Sequence, residues 1–298
     1  MGLNQIINTE RSYNSKFLNE DLRELFQTYP FFEKRAIGNS YLGNQITEVR
    51  LGNGPRKIHL NGSFHANEWI TSLLLMKWLE DFLQSIQTGG NHVIANPAQI
   101  LEEWTISIVP MVNPDGVDLV TVGAPANWLS ICKANNFGSD DFSQWKANIR
   151  GVDLNNQFPA NWEIEKERKI PKAPAPRDFP GYMYLTEPEA RTMVELTVAS
   201  GFDRTLAFHT QGEEFYWGYE GLHSDESACL AQKFEQVSGY KSIEYIDSHA
   251  GYRDWFIQTF RKPGFTIECG FGENPLPLEQ FDKIYQDVCK IIYASFDY

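Results

Sequence analysis

Apolar side chains recur at helical spacing in the stretch that follows Glu68. One face of this stretch carries an apolar row and a glycine pair ends it: Leu75, Leu79, Phe82, Leu83 and Ile86, then Gly89-Gly90. Such a row predicts an amphipathic helix that stops at the glycines. Helices are also predicted over 17–28, 187–198 and 278–295.

Short runs rich in β-branched and aromatic residues alternate with these helices. They predict strands over 46–51, 56–61, 105–109, 205–210 and 265–269. Strands separated by helices favour an α/β domain with a central, largely parallel or mixed sheet. In such sheets the active site lies beyond the carboxyl ends of the strands, so the polar residues at those ends are the candidates for chemistry.

Turn and cap signals mark the boundaries between the predicted elements. The glycine-rich segment 52–55 indicates a hairpin-like turn between the first two strands, and 113–116 indicates a turn after the third. Thr186, with Glu189 three residues on, predicts a capping box. The charged and proline-rich stretch 161–180 favours a surface loop that could overhang a binding cleft.

Length and charge narrow the range of functions. The chain has 298 residues, and no repeat or linker divides it, so one domain over 1–298 is expected. Its net charge of -13, from 26 basic and 39 acidic side chains, disfavours nucleic acid and anionic membranes as partners. A small substrate remains possible, because a local pocket can carry the opposite sign.

The expected compartment is the cytoplasm. The first residues lack the basic start and apolar core of a signal peptide, and the longest apolar run, 70–76, is far too short to span a membrane. The cysteines are scattered without a C-x-x-C pair and are expected to be reduced and mostly buried: Cys132, Cys229, Cys269 and Cys289.

Four polar residues suggest a zinc hydrolase. His65 and Glu68 stand three apart at a predicted helix start, and His209 ends another strand. A catalytic zinc site commonly uses two histidines and one glutamate and leaves a position for water. Each residue alone has a structural alternative, such as a hydrogen-bonded core histidine. Glu268, in an otherwise apolar strand, completes the set as the base for metal-assisted hydrolysis of a peptide bond.

The chain resembles the zinc carboxypeptidases of the funnelin type. Matching pieces keep the family's order: 37–40, His65-x-x-Glu68, 112–116, 151–155, 185–189, His209 and Glu268. The resemblance implies a three-layer α/β/α sandwich around a mixed, about eight-stranded sheet, one zinc ion, and hydrolysis of an amide bond.

Two departures from the family pattern bear on specificity. Family members hold the terminal carboxylate of the substrate with an Asn-Arg pair, whereas this chain has Asn155 followed by Asn156. Loss of the bidentate guanidinium disfavours ordinary carboxypeptidase action. Arg253 falls where relatives place the floor of the pocket beyond the cut bond, which favours a side chain ending in a carboxylate. Pairing with Asp254 is its structural alternative. Together the departures resemble the branch that cleaves γ-D-glutamyl-meso-diaminopimelate bonds in peptidoglycan peptides.

The resemblance leaves some roles open. The arginine that steadies the oxyanion corresponds to Arg150 or to Lys146, and Arg150 is preferred because its charge is permanent. A tyrosine that caps the substrate corresponds to Tyr245 or Tyr252. Asp153 is expected to orient a ligand histidine.

Three other functions compete with a muropeptide-cleaving peptidase. They are a conventional zinc carboxypeptidase, an N-acyl amino acid deacylase of the same superfamily, and a catalytically dead module that binds cell-wall fragments. Retention of all three ligands and of the base argues against the dead module.

Overall fold

The computed structural model describes residues 5–89 and 96–297. Its strands are β1 Glu33–Asn39, β2 Gln45–Leu51, β3 Arg56–Gly62, β4 Trp104–Val109, β5 Arg204–His209, β6 Glu214–Tyr216, β7 Lys241–Ile243 and β8 Gly264–Glu268. Its helices are α1 Ser15–Thr28, α2 Ile70–Thr88, α3 Pro97–Glu103, α4 Pro114–Thr121, α5 Leu129–Asn135, α6 Trp162–Arg168, α7 Pro188–Ser200, α8 Asp225–Ser238, α9 Tyr252–Phe260 and α10 Phe281–Ala294.

The strands form one mixed sheet of eight strands in the order β1-β2-β4-β3-β5-β8-β6-β7. The four central strands β4, β3, β5 and β8 run parallel. Antiparallel pairs flank them, with β2 beside β4 and β6 beside β8. The mixed, eight-stranded sheet expected from the resemblance is therefore confirmed.

Helices cover both faces of this sheet. Neighbouring residues of a strand point to opposite faces, and in the central strands both sets are apolar and buried. Leu206 of β5 belongs to a buried cluster that includes α2, α8 and α10, while the next residue, Ala207, belongs to a second cluster with α7 and α9. Ile108 and Val109 of β4 divide in the same way. The three-layer α/β/α architecture is confirmed.

The segment between β2 and β3 is not a hairpin turn, because β4 lies between these two strands. Gly54 crosses the start of β4 at close range: a Cβ added there would lie 2.1 Å from the backbone N of Trp104. Thr105 also donates a hydrogen bond from its hydroxyl to the Gly54 carbonyl at 2.8 Å. The glycine is thus required by this crossing and does not form a tight reversal.

One turn prediction and one cap prediction are also wrong. Asn113 is the N-cap of α4, and its side chain accepts a hydrogen bond from Gly116 N at 3.0 Å, so this segment opens a helix instead of forming a free turn. Thr186 does not cap α7. The Glu189 carboxylate accepts from Tyr41 N at 3.1 Å, because the loop after β1 packs against this helix and takes the acceptor.

The stretch 161–180 differs from a solvated surface loop. It begins with α6, in which Trp162 and Glu165 are buried.

Among the cysteines, Cys229 is exposed and the other three are buried, and all four are free thiols as expected. No helix in the described part of the chain has the length and apolar character needed to cross a membrane.

Candidate metal centre and active site

Three side chains meet at the carboxyl ends of β3 and β5. His65 follows β3, Glu68 ends a short 3-10 turn over Ala66–Glu68, and His209 is the last residue of β5. The two strands are parallel neighbours, so their carboxyl ends bring the three side chains together. Each is 5 % exposed or less.

The polar atoms of this cluster converge on one point. Glu68 Oε1 lies 2.8 Å from His65 Nδ1, and Glu68 Oε2 lies 3.0 Å from His209 Nδ1. The two Nδ1 atoms are 3.0 Å apart. Two imidazole nitrogens that face each other can share only one proton, so a cation would satisfy the remaining lone pairs. Two nitrogens and a carboxylate within 4.8 Å of one another fit the ligand set of zinc.

The charged groups around the cluster shift one another's pKa values. Burial would raise the pKa of Glu68, but His65 and His209 outweigh it and hold that pKa well below its usual value. Burial would lower the pKa of His65, yet the charges of Glu68 and Asp153 raise it. Burial lowers the pKa of His209, so only one of the two histidines favours the charged form beside Glu68.

Glu268 ends β8 and stands opposite His209 in the sheet register. Burial, followed by the negative charge of Glu68, raises the pKa of Glu268 to about 8. A cation at the cluster would act in the opposite sense, because it offsets the charge of Glu68. A carboxyl group that can hold or release a proton near neutral pH suits general acid–base chemistry.

Two neighbouring pockets share Glu268, Lys146 and Tyr216 in their linings. The first, here the Arg253 pocket, has a volume of about 180 Å³ and a lining that includes His65, Asn155, Asn156, Lys169 and Arg253. The second, here the Arg177 pocket, has a volume of about 490 Å³ and a lining that includes Asn67, Glu68, Gln144, Arg177 and Glu273. A substrate that spans both would pass over the metal cluster.

Asp153 connects the loop 146–153 to the metal cluster. Its Oδ1 lies 3.4 Å from His65 Nε2, and its Oδ2 lies 3.9 Å from Lys146 Nζ. Burial would raise the pKa of Asp153, but Lys146 and His65 hold it well below its usual range. A carboxylate on the outer nitrogen of a ligand histidine fixes the tautomer and the ring orientation.

Arg150 does not reach the site, and its assignment as the oxyanion partner is wrong. Its guanidinium lies 3.3 Å from Glu187 and stacks over the Tyr41 ring, in a different cavity. The alternative, Lys146, lines both pockets beside Glu268.

The residues assigned to the substrate divide into two groups. Asn155, Asn156 and Arg253 all line the Arg253 pocket. Asn156 has a buried Oδ1 without a hydrogen-bond partner among the described residues. Arg253 is buried and donates from Nε to Asp254 Oδ1 at 2.9 Å, so both of its predicted environments, the pocket and the ion pair, occur together.

The two tyrosines proposed as substrate caps lie elsewhere. Tyr252 is 1 % exposed and its hydroxyl hydrogen-bonds Thr197 at 2.9 Å, so it packs in the core and its assignment to the substrate is wrong. Tyr245 is 63 % exposed, next to the pocket residue Ile246. Tyr216 does face both pockets, but it lies on a three-residue strand that no sequence pattern revealed.

Lys169 and Arg177 were also missed as pocket residues. The only signal for them was the proline-rich stretch 161–180, which indicated a possible overhang of a cleft but no particular side chain.

Comparisons with known proteins agree with this geometry. The profile of the family described as "Zinc carboxypeptidase" matches residues 18–290. The chain is 47 % identical over 293 residues to gamma-D-glutamyl-L-diamino acid endopeptidase 1 of Lysinibacillus sphaericus, covering 98 % of this chain and 74 % of that one. It is 44 % identical over 295 residues to the protein YqgT of Bacillus subtilis strain 168, covering 97 % and 78 %.

The fold also matches solved structures of this class. Bovine thrombin-activatable fibrinolysis inhibitor, in complex with tick carboxypeptidase inhibitor, superposes with a TM-score of 0.72 at 15 % identity and 97 % coverage of both chains. This likeness shows the fold, and the family match over most of the sequence confirms the reaction class expected from the sequence, a zinc-dependent peptidase. The chain belongs to the zinc carboxypeptidase family.

Proposed function

We propose that this protein hydrolyses the γ-D-glutamyl-meso-diaminopimelate bond of peptidoglycan-derived peptides, with one zinc ion held by His65, Glu68 and His209. The observation that carries the proposal is the arrangement of the Arg253 pocket, which puts a buried arginine on one side of a two-histidine, one-carboxylate cluster. The name of the Lysinibacillus sphaericus relative, with its glutamyl and diamino acid specificity, supports the same substrate class.

The reaction needs a base, an acid and a partner for negative charge. Zinc at this cluster would polarise the scissile carbonyl and make water more acidic. Glu268 removes a proton from the attacking water and then delivers it to the leaving amine as the C–N bond breaks. Lys146, which lies beside Glu268 in both pockets, supplies the positive charge for the oxyanion in place of Arg150.

Specificity beyond the cut bond follows from two residues of the Arg253 pocket. Asn156 offers an amide where the family uses an arginine, so a free terminal carboxylate loses its bidentate partner. Arg253 keeps a permanent charge in the pocket although Asp254 accepts from its Nε. The side chain of meso-diaminopimelate ends in a carboxylate, which can pair with the guanidinium, and in an ammonium, which can pair with Asp254.

A direct test is to incubate the purified protein with L-Ala-γ-D-Glu-meso-diaminopimelate and to identify the products by mass spectrometry. We expect L-Ala-D-Glu and free diaminopimelate. A peptide with a plain C-terminal Phe and an N-acyl amino acid should be cut far more slowly. Equal turnover of the Phe peptide would favour a conventional carboxypeptidase, and preference for the N-acyl amino acid would favour a deacylase. No turnover of any of the three would favour a binding module.

A further inference from the structure

The proline-rich segment 171–180 is fixed to the loop that carries Lys146 and Asp153. The Pro176 carbonyl accepts hydrogen bonds from Lys146 N and Ala147 N, both at 2.8 Å. On its other side, Asp153 N donates to the Phe179 carbonyl at 2.8 Å. Backbone groups paired on both sides of a residue limit how far that residue can move.

Arg177 lies between these anchor points. Its backbone is therefore held next to the residues that surround the metal cluster, while its side chain lines the Arg177 pocket and is 57 % exposed. Arg177 and Lys146 are the cationic residues of this pocket in the part of the chain that the structure describes. Glu273 on the same lining is acidic, so the pocket carries both signs.

The charge of Arg177 is not cancelled by its neighbour. Arg177 Nε lies 3.2 Å from Asp178 Oδ2, but Asp178 Oδ1 also pairs with Lys169 Nζ at 3.2 Å. One carboxylate is thus shared by two cations. An exposed ion pair of this kind contributes little on its own, so the guanidinium can turn toward a ligand at low cost.

In the proposed reaction, the Arg177 pocket takes the acyl side of the cut bond. The Arg253 pocket receives the leaving amine component in the proposed reaction, and the two pockets meet at Glu268. A γ-linked glutamyl residue carries a free α-carboxylate on its acyl side, because its side-chain carboxyl group forms the scissile bond. An α-linked peptide has no carboxylate at that place unless its own side chain provides one.

We infer that Arg177 binds the free α-carboxylate of the γ-linked glutamyl residue and thereby selects γ-glutamyl bonds. This inference rests on the proposed function, and it assigns the two halves of the substrate to two different arginines. Arg253 reads the diamino acid and Arg177 reads the glutamate. Guanidinium is suited to the task because its planar donors match a carboxylate in a bidentate fashion.

The test uses two peptides that differ only at this carboxylate: L-Ala-γ-D-Glu-meso-diaminopimelate, and the same peptide with the α-carboxylate converted to the carboxamide. The wild-type protein should prefer the free carboxylate by roughly 10- to 100-fold in kcat/KM, the range for a hydrogen bond to a charged group. Arg177→Ala should lose most of this preference, and Arg177→Lys should restore part of it.

Lys172→Ala is the matched control. Lys172 is an exposed cation of the same segment, and within residues 5–89 and 96–297 it donates to the carbonyls of Lys166 and Glu167 alone. It should keep the wild-type preference. Each variant is judged by the ratio of its rates on the two peptides. Partial unfolding lowers both rates by the same factor and therefore leaves this ratio unchanged.

The possible failures are distinguishable. A wild-type protein that cuts neither peptide would contradict the proposed function, and with it this inference. A wild-type protein that cuts both, with a ratio that Arg177→Ala leaves unchanged, would contradict the role of Arg177 alone.

Discussion

The strand ends and the loops around them contribute different parts of the site. The ends of β3, β5 and β8 deliver His65, His209 and Glu268, which are held by the parallel ladders of the central sheet. The loops supply Lys146, Asp153 and Arg177, and the first turn of α9 supplies Arg253. The comparison suggests that the strand ends position two metal ligands and the base, and that the segments around them add the oxyanion partner and decide which substrate is cut.

Two segments beside the Arg253 pocket are joined through a buried carboxylate. Glu165 of α6 is fully buried, accepts from His249 N at 3.1 Å and pairs with Arg168 at 2.7 Å. Arg168 in turn donates to Asp247 Oδ1 at 2.6 Å. Helix α6 and the loop before α9 thus support each other on the rim of the Arg253 pocket.

The largest effect should come from the base at a strand end. Glu268→Gln removes the proton acceptor but keeps the shape, so kcat should fall by roughly 10²- to 10⁴-fold. Zinc content, measured by elemental analysis, should stay at the wild-type level, because Glu268 is not one of the three ligands. Substantial remaining activity would contradict the assignment of the base.

A smaller loss should follow from the loop cation that faces both pockets. Lys146→Ala should lower kcat by roughly 10²- to 10³-fold, the range for loss of one oxyanion partner. Arg150→Ala is the control, since its guanidinium pairs with Glu187 in another cavity. Steady-state kinetics of the two variants would separate them, and the reverse order of effects would restore the assignment of Arg150.

The contact between Asp153 of the loop and the metal-ligand candidate His65 can be weakened without removing a metal ligand. Asp153→Asn keeps the shape beside His65 but loses the negative charge, so zinc affinity should fall by roughly 10- to 100-fold. A competition titration with a chromogenic chelator measures this affinity. An unchanged affinity would show that the strand ends hold the metal without help from the loop.

The stability of the protein should depend on pH through His59, a buried residue of β3. His59 hydrogen-bonds Ser107 at 3.0 Å and stacks on Phe202, and burial lowers its pKa to about 3. As the pH falls below about 6.5, His59 binds a proton in the unfolded chain but stays neutral in the folded chain. The free energy of unfolding is therefore highest above that pH and decreases below it. About 2 kcal/mol should be lost between pH 7 and pH 5 through this residue.

Urea unfolding at the two pH values measures this loss. His59→Asn keeps a hydrogen-bonding group near Ser107 but does not titrate, so its free energy of unfolding should fall by less than that of the wild-type protein. Equal falls in the two proteins would mean that His59 is protonated in the folded state.

The strand ends could be predicted from sequence, and the segments around them only in part, since Asn155, Asn156 and Arg253 line the pocket whereas Lys169 and Arg177 were missed. His65, Glu68, His209 and Glu268 stand beside strongly patterned strands and helices, so their convergence follows from the topology of a parallel sheet. Arg150 was wrongly preferred over Lys146 because both lie in an irregular loop whose turn directions leave no periodic signal.

The predictions that Tyr252 caps the substrate and that 52–55 forms a hairpin turn are wrong for a related reason. Whether an aromatic residue faces the core or a pocket, and whether two strands pair, depends on contacts with residues distant in sequence. Thr197 holds Tyr252 from α7, and β4 separates β2 from β3. Short strands such as β6 and β7 are too brief to show a period, so Tyr216 was missed as well.

The most direct test of the division between the strand ends and the segments around them is the selectivity of Arg253→Ala, at the start of α9. The measurement is kcat and KM for two tripeptides, L-Ala-γ-D-Glu followed by meso-diaminopimelate or by L-Lys, which lacks the second carboxylate. We expect the wild-type protein to prefer diaminopimelate by roughly 10-fold or more, and the variant to lose that preference through a higher KM with kcat nearly unchanged. A preference that survives in the variant, or a kcat that collapses equally for both peptides, would contradict the account.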